Sequence, residues 1–145
     1  MTLRFIAILF IFALIPATDT RAAEEVPSYT LKLVKDLVEQ ESAEEFDCRE
    51  RVYLMTTWFN VYGPHRVTVR WFNPEGSLQD QGHLDFTGRK QETDGWLALE
   101  FLNVADPAAS THLNAEVAKF YGRWKVRVFL DNNFLEERNF FVRCK

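Results

Sequence analysis

Alternation of apolar and polar residues is the feature that most restricts this chain. Val52, Leu54, Thr56 and Trp58 alternate with Arg51, Tyr53, Met55 and Thr57. Val67, Val69 and Trp71 alternate with Arg66, Thr68 and Arg70, and Val126, Val128 and Leu130 with Lys125, Arg127 and Phe129. Successive side chains of a strand point to opposite faces, so a period of two held over five or more residues means a strand with one buried face. A helix would place its apolar residues three and four apart instead. The closing run, Asn139–Cys144, repeats the pattern, with Phe140, Val142 and Cys144 on one face.

Turn chemistry separates these runs. Tyr62-Gly63-Pro64 follows the first and Asn73-Pro74-Glu75-Gly76 the second. Asp131-Asn132-Asn133 divides the last two, and Asp and Asn tolerate the left-handed backbone of a tight hairpin. Leu78–Thr87 and Trp96–Asn103 read as weaker strands around a polar stretch, Gly88–Gly95. Six strands after residue 48, with no room for helical crossovers, predict an all-β antiparallel two-sheet sandwich. Two segments depart from the plan. In Tyr29–Glu39, Leu33, Val34, Leu37 and Val38 fit a helix face, but the same residues would also make a bulged first strand. In Val104–Tyr121, the apolar residues Leu113, Val117, Phe120 and Tyr121 predict a short helix stopped by Gly122 and lidding one end of the sandwich.

The N-terminus follows another rule. Arg4 precedes an unbroken apolar run from Phe5 to Ile15, Pro16 breaks it, and Thr20 and Ala22 supply small residues before Ala23. That is the three-part plan of a secretory signal, with cleavage after residue 22. Eleven residues at ~1.5 Å each reach only about half of a ~30 Å hydrocarbon core, which argues against a membrane anchor. The expected product is a single domain over residues 23–145, soluble in the bacterial periplasm or secreted. The full chain carries a net charge of −4. The leader is basic by one charge, so its removal makes the product more acidic. Nonspecific nucleic-acid binders usually have the opposite sign, and no nucleic-acid partner is expected.

The run GRWKVRVFLDNNFLEERNFFV at Gly122–Val142 resembles the closing hairpin of bacterial exported immunoglobulin-like domains of uncharacterised function. In these a Gly-x-Trp opens a strand, an Asp-containing turn follows, and a Phe-x-Val strand ends the domain. Phe46 with Val52-Tyr53-Leu54 resembles their second strand, and Val67–Phe72 with its Trp their third. The resemblance covers about Thr30 to Val142. It implies an immunoglobulin-like sandwich of about seven strands, and it implies that Leu31–Val38 is the first of them. The Val104–Tyr121 insertion and the two cysteines depart from the pattern.

Candidate chemistry is sparse. Cys48 shares the parity of Val52 and Leu54, and Cys144 that of Phe140 and Val142, so both are expected to point inward. In an oxidising compartment a Cys48–Cys144 disulfide is expected. The alternatives are two buried thiols or an intermolecular bond. His65, His83 and His112 have no partner histidine at i+2 or i+4, so no element presents two metal ligands together. The serines lack a nucleophile-elbow context, and Asp80 and Asp85, five apart on a strand, face opposite sides. No metal, cofactor or catalytic residue is assigned, and a non-enzyme is expected.

Aromatics are unusually frequent at 14%, and most are accounted for by a Trp-rich core. The polar faces are more informative. Arg66, Arg70 and Phe72 share one face of their strand, and Lys125, Arg127 and Phe129 share one face of another. If those strands are neighbours, an acidic protein exposes a basic and aromatic stripe suited to a partner. The competing reading is cross-strand pairing with Glu136, Glu137 or Glu100. The expectation is a non-catalytic module binding a protein of the cell envelope, as an accessory subunit. The alternatives are a carbohydrate or small-ligand binding module, which needs Trp96 or Phe72 on an exposed flat face, and a metal-dependent hydrolase assembled from loops.

Overall fold

A computed structural model describes residues 28–89, 91–101 and 119–143. The expected signal segment, Cys144, His112 and most of the expected Val104–Tyr121 helix lie outside the described residues. The described residues form eight strands: β1 (Ser28–Val34), β2 (Glu45–Asp47), β3 (Arg51–Phe59), β4 (Gly63–Phe72), β5 (Leu78–Gly88), β6 (Glu92–Glu100), β7 (Gly122–Leu130) and β8 (Asn133–Arg143). They form a three-stranded sheet in the order β1-β3-β6 and a five-stranded sheet in the order β2-β8-β7-β4-β5. All pairings are antiparallel except β2 with β8. This is an all-β, immunoglobulin-like sandwich. No helix of the described residues is long and apolar enough to cross a membrane.

The alternating positions fall on the core side as their parity requires. Val52, Leu54, Thr56 and Trp58 of β3 are buried, as are Val67, Val69 and Trp71 of β4 and Trp124, Val126, Val128 and Leu130 of β7. Phe140 sits between two of the indoles, edge-on to Trp71 at 6.0 Å and stacked on Trp124 at 6.1 Å. A buried indole N–H needs an acceptor. Trp58 Nε1 donates to Thr56 Oγ1 at 3.1 Å, and that hydroxyl donates to the Gly95 carbonyl at 3.2 Å. Trp124 Nε1 donates to the Phe120 carbonyl at 2.8 Å. Phe120, the last apolar residue but one of the expected helix, packs on Phe101 and Trp124. Lys119 and Phe120 form a turn, while Leu113 and Val117 lie outside the described residues.

Several boundaries differ from expectation. The first element is a strand, as the resemblance implied, but it ends at Val34 rather than Val38. Asp36 ends the extended run: its Oδ1 accepts the N–H groups of Val38 and Glu39 at 2.8 Å, closing a local turn that leaves Val38 exposed. Phe46 and Val52 do not share a strand. Asp47–Glu50 is a turn, tied by Glu50 N–H to the Asp47 carbonyl at 2.9 Å and by Asp47 N–H to Glu50 Oε2 at 2.8 Å. The chain there passes from one sheet to the other, and the three-residue β2 takes the count from about seven strands to eight. Strand β6 begins at Glu92, four residues before the expected Trp96, because polar residues suffice on an outer face while Gly95 lets Leu84 approach. The Asp131-Asn132 turn has φ of 49° and 70°, the left-handed pair that a two-residue hairpin demands.

Strand β8 carries an exception to its parity. Arg138 lies opposite Val126, and Glu136 opposite Val128, so both charges are on the sandwich side of a strand that β2 covers only at Phe141–Arg143. They pair with each other at 2.5 Å.

The β5–β6 corner depends on Gly88. A Cβ at that position would lie 1.9 Å from the Val61 carbonyl oxygen, a backbone atom that has no room to retreat. Gly88→Ala is expected to lower unfolding free energy by about 2–4 kcal/mol, measured by urea denaturation.

Candidate functional site

Strands β4 and β7 are neighbours, with Arg70 directly opposite Arg127, Thr68 opposite Phe129 and Phe72 opposite Lys125. The six residues singled out from sequence therefore share the outward face of the five-stranded sheet. The adjoining pairings extend each row across four strands. One row runs Gln81, Arg70, Arg127, Glu137, and the next runs His83, Thr68, Phe129, Phe134. Arg66 heads the far end opposite Asp85.

Two like charges directly opposite one another repel. Here each guanidinium lies on an aromatic ring of the facing strand: Arg70 is 4.8 Å from the centroid of Phe129, and Arg127 is 5.1 Å from that of Phe72. The negative face of a ring attracts a cation. Each arginine also donates to an acceptor on an outer strand, Arg70 Nε to Gln81 Oε1 at 2.8 Å and Arg127 Nε to Glu137 Oε2 at 2.8 Å. Lys125 Nζ reaches the other oxygen of Glu137 at 3.2 Å. The Arg127 hydrogen bond and the nearby Lys125, against a smaller effect of burial, hold the Glu137 carboxyl below its ordinary range. Arg66 grips Asp85 with two donors, at 2.5 and 2.8 Å, and holds that carboxyl down as well. Cross-strand pairing and an exposed basic face thus coexist. Glu137 and Asp85 offset part of the charge of Arg66, Arg70, Lys125 and Arg127, and the face stays net positive.

The other expected pairings fall elsewhere. Glu136 pairs with Arg138, and Glu100 with Arg51. Cys48 is buried in the β2–β3 turn, and its N–H donates at 3.1 Å to the carbonyl of Arg143, the residue preceding Cys144. Of the aromatics named as flat-face candidates, Phe72 is covered by Arg127. Trp96 stands on the outer face of the three-stranded sheet, 49% exposed and edge-on to Tyr53 at 5.6 Å.

Two features escaped the sequence pattern. Arg123 continues the face of Lys125 and Arg127, and parity alone would have included it. The second is a clasp at the opposite end of the sheet. His65 Nδ1 lies 2.6 Å from Asp131 Oδ2, and its Nε2 lies 3.0 Å from the Tyr62 carbonyl. Asp131 Oδ1 also accepts the N–H of Arg66 at 2.8 Å. No local sequence signal joins residues 66 apart. With acceptors at both ring nitrogens, the doubly protonated imidazole is favoured. The Asp131 hydrogen bond raises the His65 pKa above its ordinary 6.5, and the Tyr62 carbonyl adds to it, against the opposing effect of burial. Burial pushes Asp131 upward, but the donors from His65 and Arg66 outweigh it and leave the carboxyl below its usual value. His83 faces outward opposite Thr68, far along the strand.

No family model matches the chain, and no curated protein matches it. Among solved structures, a CARDB domain from Pyrococcus furiosus in complex with di-metal ions aligns at a TM-score of 0.41 and 11% identity, over 82% of this chain and 90% of that one. A β-glucosidase from Listeria innocua aligns at 0.45 and 12% identity, over 80% of this chain. An alkylpurine DNA glycosylase from Pseudomonas fluorescens, bound to DNA containing an abasic site analogue, aligns at 0.44 and 12%, also over 80% of this chain. This chain spans only 16% of the glucosidase and 30% of the glycosylase.

The clasp predicts a pH dependence. A raised histidine pKa contributes stability that is complete below the ordinary value of 6.5 and is lost as pH rises through the folded value. Urea midpoints are expected to decline as pH rises above the ordinary histidine value of 6.5. Asp131→Asn keeps a residue that tolerates the left-handed turn but removes the charge, and it should flatten that slope.

Proposed function

We propose that this protein is a non-catalytic, immunoglobulin-like module exported from a bacterial cell, with residues 1–22 removed, that binds a protein partner in the cell envelope. The observation that carries the reading is the Arg70–Arg127 row with its two rings, Phe72 and Phe129, on one exposed sheet face of an acidic protein. Arginine and aromatic side chains are the residue types that most often anchor protein interfaces. Net negative charge elsewhere weakens general attraction to polyanions, which favours a partner matched to this face. The binding face on this reading comprises Arg66, Arg70, Phe72, Lys125, Arg127 and Phe129.

The test is the double variant Arg70→Glu, Arg127→Glu, compared with the paired glutamine variant. Both side chains are exposed. Melting temperatures should stay close to that of the parent, and cross-linked recovery of an envelope partner should be lost in the glutamate form. Undiminished recovery with intact folding rejects this face.

The reading includes a Cys48–Cys144 disulfide. Its support is the burial of Cys48 and the bond from its N–H to the residue before Cys144. Non-reducing peptide mapping of exported protein should recover the linked pair, and Cys144→Ala should cost about 2–5 kcal/mol. Free thiols on both residues would overturn the assignment.

A second reading, a module for a carbohydrate or another flat ligand, is favoured by the exposed Trp96 beside Tyr53. Quenching of Trp96 fluorescence by soluble glycans, lost in Trp96→Ala, would support it over the first.

A further inference from the structure

The outward face of β7 runs past Arg127 and Lys125 to Arg123, where the β4–β5 turn forms the far wall of a cleft lined by Phe72, Asn73, Pro74 and Asn139. The wall stands close because of Gly122. A Cβ there would meet Pro74 at 3.0 and 3.1 Å, and the glycine takes a φ of 135° that a side chain would resist. The turn is braced from within. Asn73 Oδ1 accepts the N–H groups of Glu75 and Ser77 at 3.1 and 2.9 Å, and the Asn73 carbonyl accepts that of Gly76 at 2.9 Å. The cleft is therefore formed before any ligand arrives.

Its charges are arranged with a built-in template. Lys125 and Arg127, two residues apart on one strand face, hold the Glu137 carboxylate between them, one oxygen to each. Arg123 and Lys125 repeat that spacing, about 7 Å along the strand. No carboxylate among the described residues bridges this second pair. Lys125 has three donors and gives one to Glu137. Arg123 is exposed and makes no ion pair or hydrogen bond within the described residues.

We propose that the Arg123–Lys125 step binds a carboxylate side chain, Asp or Glu, from an acidic segment of the protein partner, with the segment lying against Pro74. This rests on the reading of the sheet face given above and specifies the chemistry of what docks there. Glu137 shows the required geometry in miniature: a planar anion bridging two cations of alternate positions. Binding at the neighbouring step would leave the Glu137 contacts in place.

The test titrates isotope-labelled protein, expressed from its full sequence, with a short peptide of alternating glutamate and glycine. The matching glutamine peptide and sodium sulfate at equal ionic strength serve as controls. Saturable shifts of the Gly76, Arg123, Lys125 and Asn139 amides are expected with the acidic peptide alone. Arg123→Glu should weaken that binding about tenfold at unchanged melting temperature. An equal response to sulfate, no saturable shift, or undiminished binding to Arg123→Glu would overturn the proposal. The outcomes separate the two claims. If the acidic peptide fails while Arg70→Glu, Arg127→Glu still loses the partner, the cleft assignment falls and the face stands. If the peptide binds in the cleft while that double variant keeps its partner, the reverse holds.

Discussion

The packing around Trp124 is the constraint on which the rest of the fold depends. Its ring meets Phe101 at 5.0 Å, Phe140 at 6.1 Å and Phe120 at 6.2 Å, and its N–H is satisfied by the Phe120 carbonyl. One side chain thus fixes β7 against β8, the end of β6, and the chain entering β7. Through Phe140 the same cluster reaches Trp71 of β4 and Phe46 of β2. A buried aromatic contributes large area with few rotatable bonds, so a core of indoles and phenyl rings sets strand order with little conformational loss. Once that order is set, the outward residues of β4 and β7 have no freedom in whom they face. The arginine rows are a consequence of the core.

Parity made the core and the basic face legible in advance. Val67, Val69 and Trp71 had to point one way, so Arg66, Arg70 and Phe72 had to point the other, and the same logic held for β7. Adjacency was not legible from alternation, because period two says which side a residue occupies and nothing about its neighbour. The hairpin at Asp131-Asn132 was readable because its backbone demands particular residues. The β2–β3 turn was not. Asp47 and Glu50 close it by hydrogen bonds that a polar sequence does not announce, and the apolar positions Phe46 and Val52 fit a single strand just as well. The end of β1 was hidden for a related reason. Leu37 and Val38 continue the apolar content, while the Asp36 side chain ends the strand.

The candidate site divides along the same line. Its six residues came from parity. The His65–Asp131 clasp, the Pro74–Gly122 contact and the shared carboxylate of Glu137 arise from tertiary closure, which brings together positions far apart in the chain. Such groupings are where a single sequence loses its voice. They are also where charge acquires geometry: an arginine on a strand is only a cation until a ring, an amide or a carboxylate fixes its plane.

The charged pair on the sandwich side of β8 has a consequence for how this molecule lives among copies of itself. Long strands with unpaired margins are templates on which other chains can add, the first step toward fibres. Among the described residues, β8 offers such a margin between Asn133 and Asn139, since β2 shields only its last residues. An incoming strand would have to bury Arg138 and Glu136 in the gap between sheets and strip their water, at a cost that backbone hydrogen bonds alone do not recover. The pair acts as a guard rail, opposing the addition of a further strand at this edge of the sheet.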